Sequence, residues 1–328
     1  MKVMHIDIGL NTCCFTRRWE EPENWMKLTK EAGFGYFQLD SDMLDPFFSG
    51  DKEYQVNTAK EIKEYAEKYQ VKGTAYYTGT APYRFHGIAH SQEAVRQVMK
   101  RWIQEAMDIA GAAGIDKVGG RFDAYSVETL ADPKKFERQL ERSVALYREL
   151  AVIGKEKGIA EIELEQMYVP SLYPYTILQT EEYLKRLNKG NSGCRLSTTV
   201  DVGHMASGAY GGGGQDLLYE AWLEKFAPVS QDIHLQQTRR DKSSHNPFTE
   251  KCNQEGEVRI ERILETVRAG HRKYEKEPLA QYLPPVKQNL LILEYIPGTT
   301  ETEEEILENI GESARYLRKF IPHGGIDL

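Results

Sequence analysis

The chain has 328 residues, 40% hydrophobic and 28% charged, which is enough apolar material for a full core under an ordinary charged surface. A formal net charge of −8 with no basic stripe argues against a nucleic-acid partner. No apolar run reaches the roughly 18 residues of a membrane helix, and the opening MKVMHIDIGLNTCCF interleaves Asp7 with Ile6 and Ile8 as a buried strand does, without a small-residue cleavage site. A cytoplasmic protein with no membrane partner is expected.

Along the chain a short apolar or β-branched run, a polar stretch and an amphipathic helical stretch alternate eight times. The predicted strands are 5–10, 36–40, 73–77, 116–120, 161–166, 196–201, 232–236 and 290–295. The first helix is expected from Pro22 to Ala32, with Gly33 as a left-handed cap. The fourth, near 133–157, repeats Phe136, Leu140, Val144, Tyr147 and Leu150 at helical spacing and stops at Gly158. The last, 302–320, opens with Thr302 and Glu305 at capping-box spacing and ends in Arg315, Arg318 and Lys319, where the helix dipole favours cations.

No Pro/Ser-rich linker interrupts this pattern, so one α/β domain is expected over residues 1–320, a (β/α)8 TIM barrel followed by a tail at 321–328. The alternative, a doubly wound sheet, would carry GxGxxG after its first strand, and Gly9 to Cys14 holds a single glycine. The run Gly211 to Gly214 lacks the Lys-Ser/Thr of a P-loop and reads as a loop. Cys13, Cys14, Cys194 and Cys252 match no zinc or redox spacing and read as core thiols in a reducing compartment.

In a TIM barrel, catalytic groups sit at the C-terminal ends of the strands. Glu165 ends strand five, Asp201 strand six and Glu294 strand eight, and strand seven holds His234. Singly, each reads equally well as a solvated, salt-bridged or satisfied residue. Jointly they place four ligand types on four consecutive strands, and carboxylates gathered there need a counter-charge. Three carboxylates and an imidazole suit one Mn²⁺ or Mg²⁺ per chain better than a structural zinc.

These segments, ELEQM, VDVGH, HLQQT and LEYIPG, resemble those of the xylose isomerase-like TIM-barrel superfamily of sugar isomerases and epimerases. The resemblance covers most of the chain. It implies Glu165, Asp201, His234 and Glu294 as metal ligands and His204 as a contact to substrate oxygens. Within the superfamily, GLNTCCFTRRWEEPENW, FQLDSDMLDPFF, TGTAPYRFHGIAH, VGG and SHNPF are most similar to the erythrulose-phosphate 3-epimerases. The chain departs from that pattern after VGG, where it reads RFDAYSV, and in an enlarged loop at Tyr210 to Gly214.

The implied chemistry is removal and return of a proton beside a ketose carbonyl. A metal would stabilise the enediolate charge, and Glu165 and Glu294, three strands apart, would act as the acid/base pair. Asn11 and Asp40 at strand ends and His86 in the loop after strand three are candidates for sugar hydroxyls. Arg239 and Arg240 are candidates for anchoring a phosphate or carboxylate, for which a guanidinium fork is suited. Tyr76, Tyr77, Tyr83, Phe85, Phe122, Tyr125, Tyr168 and Tyr210 are available to cover sugar carbons or to fill the core. The expected partner is a small sugar or sugar phosphate, with homo-oligomers common in this group. The competing reaction in the same superfamily is cleavage of 3-oxo-C-glycosides by a catalytic subunit that works with a small partner subunit.

Overall fold

Strand alternation builds both the barrel and its unusual interior. In β5 (Glu161–Glu165), Glu161, Glu163 and Glu165 alternate with Ile162 and Leu164, so one face is acidic and the other apolar. The apolar face joins the core between strands and helices, and the acidic face points inward, where Glu163 Oε1 lies 3.5 Å from Lys117 Nζ. The same parity recurs in β1 (His5–Asn11), β2 (Tyr36–Asp40), β4 (Lys117–Gly120), β6 (Arg195–Asp201) and β7 (Asp232–Leu235). It sends Asn11, Gln38, Lys117, Thr199, Asp232 and His234 to the inside.

The computed structural model describes residues 4–205 and 207–328. With β3 (Lys72–Tyr77) and β8 (Gln288–Leu293), the strands run parallel in the order β2-β3-β4-β5-β6-β7-β8-β1, and a β1–β2 pairing closes the ring. Outside lie α1 (Pro22–Ala32), α2 (Lys52–Tyr69), α3 (Glu93–Ala112), α4 (Pro133–Glu156), α5 (Ile177–Asn188), α6 (Tyr219–Phe226), α7 (Ile260–Lys273) and α8 (Glu303–Leu317). This is the expected (β/α)8 TIM barrel. Short helices at Thr80–Tyr83, Val127–Leu130 and Glu250–Glu255 interrupt the loops, and the eightfold pattern did not anticipate them.

Local signals explain most boundaries. α1 begins at Pro22 and ends where Gly33 takes φ +105°, as expected. α8 carries both capping-box bonds between Thr302 and Glu305, but it stops at Leu317, short of the expected 320. Arg318 instead reaches Asp7 Oδ1 at 2.7 Å and the Gly33 carbonyl at 3.1 Å. The residues expected as a tail return to the barrel. β1 pairs with β2 only at Gly9–Asn11, which leaves His5 and Ile6 open on that side. The strand β9 (Ile326–Asp327) fills this gap antiparallel.

One register shift matters for the site. Phe37 pairs with Gly73 and Leu39 with Tyr76, so two residues of β2 span three of β3. The extra residue reverses the inside–outside parity of β3. Tyr76 therefore packs outward on Trp102, and Tyr77 turns into the barrel, its ring centroid 4.7 Å from that of His234. Gly119 makes room for it, since a Cβ there would lie 2.4 Å from the Tyr77 ring. At Gly120, φ is +120° and a Cβ would meet Thr78 Oγ1 at 1.8 Å, so the VGG segment has a packing reason at both glycines.

Candidate active site

At the C-terminal mouth, Glu165, Asp201, His234 and Glu294 each offer one ligand atom, and these atoms all lie within 4.8 Å of one another. All four residues are buried. His234 Nδ1 is the centre, 3.2 Å from Glu165 Oε1, 3.3 Å from Glu294 Oε2 and 4.0 Å from Asp201 Oδ2. Glu294 Oε2 has His234 and His245 nitrogens at 3.3 and 3.2 Å yet no aligned hydrogen bond. These groups converge on a common point more than they aim at one another. A cluster of three hard oxygens and one imidazole nitrogen is chemically fit to hold a divalent ion.

The chain's own charges respond to the crowding. Burial opposes a charge on His234, but Glu294 and Glu165 hold its pKa well above the ordinary value. Burial likewise opposes His245, whose contact with Glu294 and the charges of Asp201 and Glu165 carry its pKa up to about 9. Burial alone would raise Glu294, yet the two histidines hold it well below the usual carboxylate range. Asp201 is raised by burial, partly offset by His204. The carboxylates thus favour a proton on both imidazoles, at the place where a divalent ion would bring its own positive charge.

The ligand-type groups are oriented from below. Gln38 is fully buried, and its Nε2 donates to Asp232 Oδ2 at 3.2 Å. A carboxylate can only accept, so the amide is turned with Oε1 toward His234 Nε2 at 2.8 Å, and Nε2 must keep its proton. Nδ1 is therefore the nitrogen that can release a proton and ligate. Asn11 Nδ2 donates to the same Gln38 oxygen at 2.8 Å, and Asn11 Oδ1 caps the Cys13 N–H. Asn11, a sequence-based candidate for sugar hydroxyls, is buried, with both of its polar ends engaged within the fold and its amide supporting Gln38.

Around the rim, Asp201 Oδ1 accepts from the Gly203 N–H at 2.6 Å and from Gln236 Nε2 at 3.0 Å. His204 Nδ1 donates to the Gln166 carbonyl at 2.8 Å while Gln166 Nε2 donates to the His204 carbonyl at 2.8 Å, which leaves His204 Nε2 free of that clamp. His245, absent from the sequence-based candidates, enters through a left-handed turn at φ +46°, with its N–H on Gln236 Oε1 at 2.7 Å. Arg121, in the RFDAYSV departure, is buried with Nε 3.0 Å from Asp123 Oδ1. Its Nη1 holds the Glu165 carbonyl at 3.3 Å, and Nη2 holds that of Tyr173. It pins the end of β5.

A cavity of about 270 Å³ opens over the cluster, walled by Glu165, Glu294, His204, His245, Asp40 and Tyr168, among others. Cys13 also lines it, but burial and then Cys14 push its thiol well up, so it does not present a thiolate. All four cysteines are free thiols. His86 and Arg239, the other sequence-based candidates for substrate contact, do not line this cavity. His86 is exposed with Nδ1 on the Ala124 carbonyl at 2.8 Å, and Arg239 is exposed beside Asp241 at 3.4 Å. Arg240 is likewise exposed and pairs with Glu257 at 3.2 Å. Of the aromatics, Tyr83 and Tyr168 reach the cavity, while Tyr76, Phe122 and Tyr125 belong to the core. Among the described residues no helix is long and apolar enough to cross a membrane.

Comparison with known proteins agrees with this geometry. The chain is 23% identical over 330 residues to D-erythrulose 1-phosphate 3-epimerase of Brucella abortus (strain 2308), covering 99% of each chain. A Rhodospirillum rubrum protein provisionally assigned as a xylose isomerase superposes with a TM-score of 0.83 at 20% identity, over 97% of this chain and 100% of that one. D-psicose 3-epimerase of Clostridium cellulolyticum H10, solved with D-tagatose, gives 0.66 at 14% identity, over 96% and 98%. The family model described as xylose isomerase-like TIM barrel matches residues 26–275, most of the chain. With eight parallel strands closed around a buried carboxylate–imidazole cluster, the chain belongs to the xylose isomerase-like TIM-barrel family.

Proposed function

We propose that the chain is a divalent-metal-dependent 3-epimerase of a short ketose or ketose phosphate, working by proton transfer beside the carbonyl. The observation that carries this reading is the convergence of Glu165, Asp201, His234 and Glu294, with Glu165 and Glu294 also on the cavity wall. The similarity to D-erythrulose 1-phosphate 3-epimerase supports the substrate class. Mn²⁺ or Mg²⁺, held by these four residues, would polarise the carbonyl and stabilise the negative charge that develops beside it.

Every other part of the reaction falls to the chain. Glu165 ends β5 and Glu294 directly follows β8, three strands apart, so their free oxygens address the substrate carbon from different sides. One takes the proton and the other returns one to the opposite face. His204, clamped by Gln166, presents Nε2 to a substrate hydroxyl, and Tyr168, whose ring centroid is 4.9 Å from that of His204, covers the carbon chain. The buried walls exclude bulk water from the carbanionic carbon.

Proton exchange at carbon, followed by NMR in heavy water with Mn²⁺-loaded protein and a panel of tetruloses, their phosphates and ketohexoses, tests the reading. Exchange with inversion in one ketose is expected. No exchange in any of them, with one metal bound per chain, would sink it. The result would then favour 3-oxo-C-glycoside cleavage with a missing subunit. That second reading has its own support in the exposed Phe48, Phe85 and Ile296 beside the cavity, a surface able to cover an aglycone.

The orienting role of Gln38 gives a separate test. Gln38→Leu removes the acceptor for His234 Nε2–H and should weaken Mn²⁺ binding about 10–100-fold. Titration followed by electron paramagnetic resonance reads this directly, and wild-type affinity in the variant would refute the role.

A further inference from the structure

The inner cavity does not end the site. A second, outer cavity of about 740 Å³ shares Cys13, Thr16, Asp42, Thr80, Arg84 and Ile296 with it, so the two are one continuous cleft. It runs from the carboxylate cluster toward the loops after β1 and β3, and Arg239 lines neither part of it. Two arginines in its wall behave unlike their neighbours. Arg18 is fully committed, its Nη2 donating to the Gly298 and Glu301 carbonyls at 3.2 and 2.9 Å, with Nε 3.7 Å from Glu303. Arg17 beside it makes no side-chain hydrogen bond or ion pair with any described residue, although it lines the cleft. Its backbone is held at φ +64°, a conformation that strains a non-glycine residue and that clusters at ligand-binding positions.

Arg84, on the turn after the Thr80–Tyr83 helix, lines both the inner and the outer cavity and shares the outer one with Arg17. Its guanidinium lies 6.0 Å from the Tyr83 ring centroid and has no anionic partner among the described residues. The acidic wall residues, by contrast, are satisfied by the fold. Asp42 accepts the Thr80 N–H with both oxygens at 3.0 Å, and Asp45 takes the Phe47 and Phe48 N–H groups and Trp102 Nε1. The cleft therefore carries free positive charge and committed negative charge at one end, and the proton-transfer groups at the other.

We infer that Arg17 and Arg84 form an anion subsite that takes the terminal phosphate monoester of a short ketose whose carbonyl end lies over the Glu165–Glu294 cluster. This deepens the epimerase reading and rests on it. Guanidinium forks match the oxygens of a phosphate, and the two arginines lie on loops, where substrate preference is set without disturbing the barrel.

The probe is glycerol 1-phosphate, with glycerol and glycerate as controls, titrated calorimetrically into the full chain in Mg²⁺ buffer. Wild-type protein should bind glycerol 1-phosphate at least about tenfold more tightly than either control. Arg17→Ala and Arg84→Ala should each weaken it about 10–100-fold, as loss of a charge-assisted hydrogen bond does. Arg239→Ala should bind as wild type, and Arg84→Lys should recover part of the loss. Both arginines are exposed, so unchanged circular dichroism and melting temperature are expected. Wild-type binding by both alanine variants, loss only in Arg239→Ala, or tighter binding of glycerate would each overturn the subsite. A protein that binds no divalent ion fails the epimerase reading itself. One that binds the ion but ignores these substitutions fails the subsite alone.

Discussion

Removing the divalent ion should lower the rate of carbon-bound proton exchange by at least about 10³-fold, because an ion at this position supplies on the order of 4 kcal/mol of charge stabilisation. The expectation follows from the composition of the cluster. Three carboxylates converge within 4.8 Å of His234, and within that cluster of four the imidazole is the one group that can carry a positive charge against what develops on a substrate oxygen. Dialysis against a chelator, with residual metal measured by atomic emission, followed by readdition of Mn²⁺ or Mg²⁺, separates metal loss from damage. Because the ion binds the folded chain, a hundredfold excess over Kd should also add about 2.7 kcal/mol of stability. For 328 residues that corresponds to about 4 °C in Tm. Full activity in demonstrably metal-free protein would refute the assignment.

The second large effect concerns the two glutamates. Glu165→Gln and Glu294→Gln should each reduce epimerisation by about 10²–10⁴-fold at saturating metal, the range for losing a positioned acid or base. A two-base mechanism predicts more than a loss of rate. With one glutamate replaced, the epimer whose proton faces the surviving carboxylate should still exchange its proton for deuterium without inverting. Comparing exchange with inversion for both epimers therefore distinguishes proton transfer from metal binding. Equal retention of exchange and inversion in either variant would count against that residue as acid or base. Metal affinity must be measured alongside, since each substitution also removes a charge from the cluster.

Much of this was legible in the sequence, for identifiable reasons. The apolar alternation and the Gly33 cap placed β2 and α1 at their observed ends, and the four strand-end ligand types were visible because barrel topology brings consecutive strand ends together. What escaped depended on geometry that periodicity does not carry. His245 reaches the cluster through a left-handed turn, and Tyr77 through an extra residue in β3. Gln38 looked like an ordinary polar strand residue, and its importance appears only when Asp232, three strand positions away around the ring, fixes its amide. Arg84 was inconspicuous because an exposed loop arginine reads the same whether it faces a cleft or open water. Arg239 and Arg240 were conspicuous as a pair, yet acidic neighbours hold them at the surface.

The cleft has a division of labour with an evolutionary consequence. Glu165, Asp201, His234 and Glu294 belong to β5–β8 and their immediate ends, whereas Arg17 and Arg84 belong to the loops after β1 and β3. On the proposed reading, mutations that retune which ketose is held would fall in those two loops and leave the four strand-end residues untouched. Substrate choice and catalysis would then be separable by mutation, so that exchanging the two loops alone would move the preference from one ketose to another.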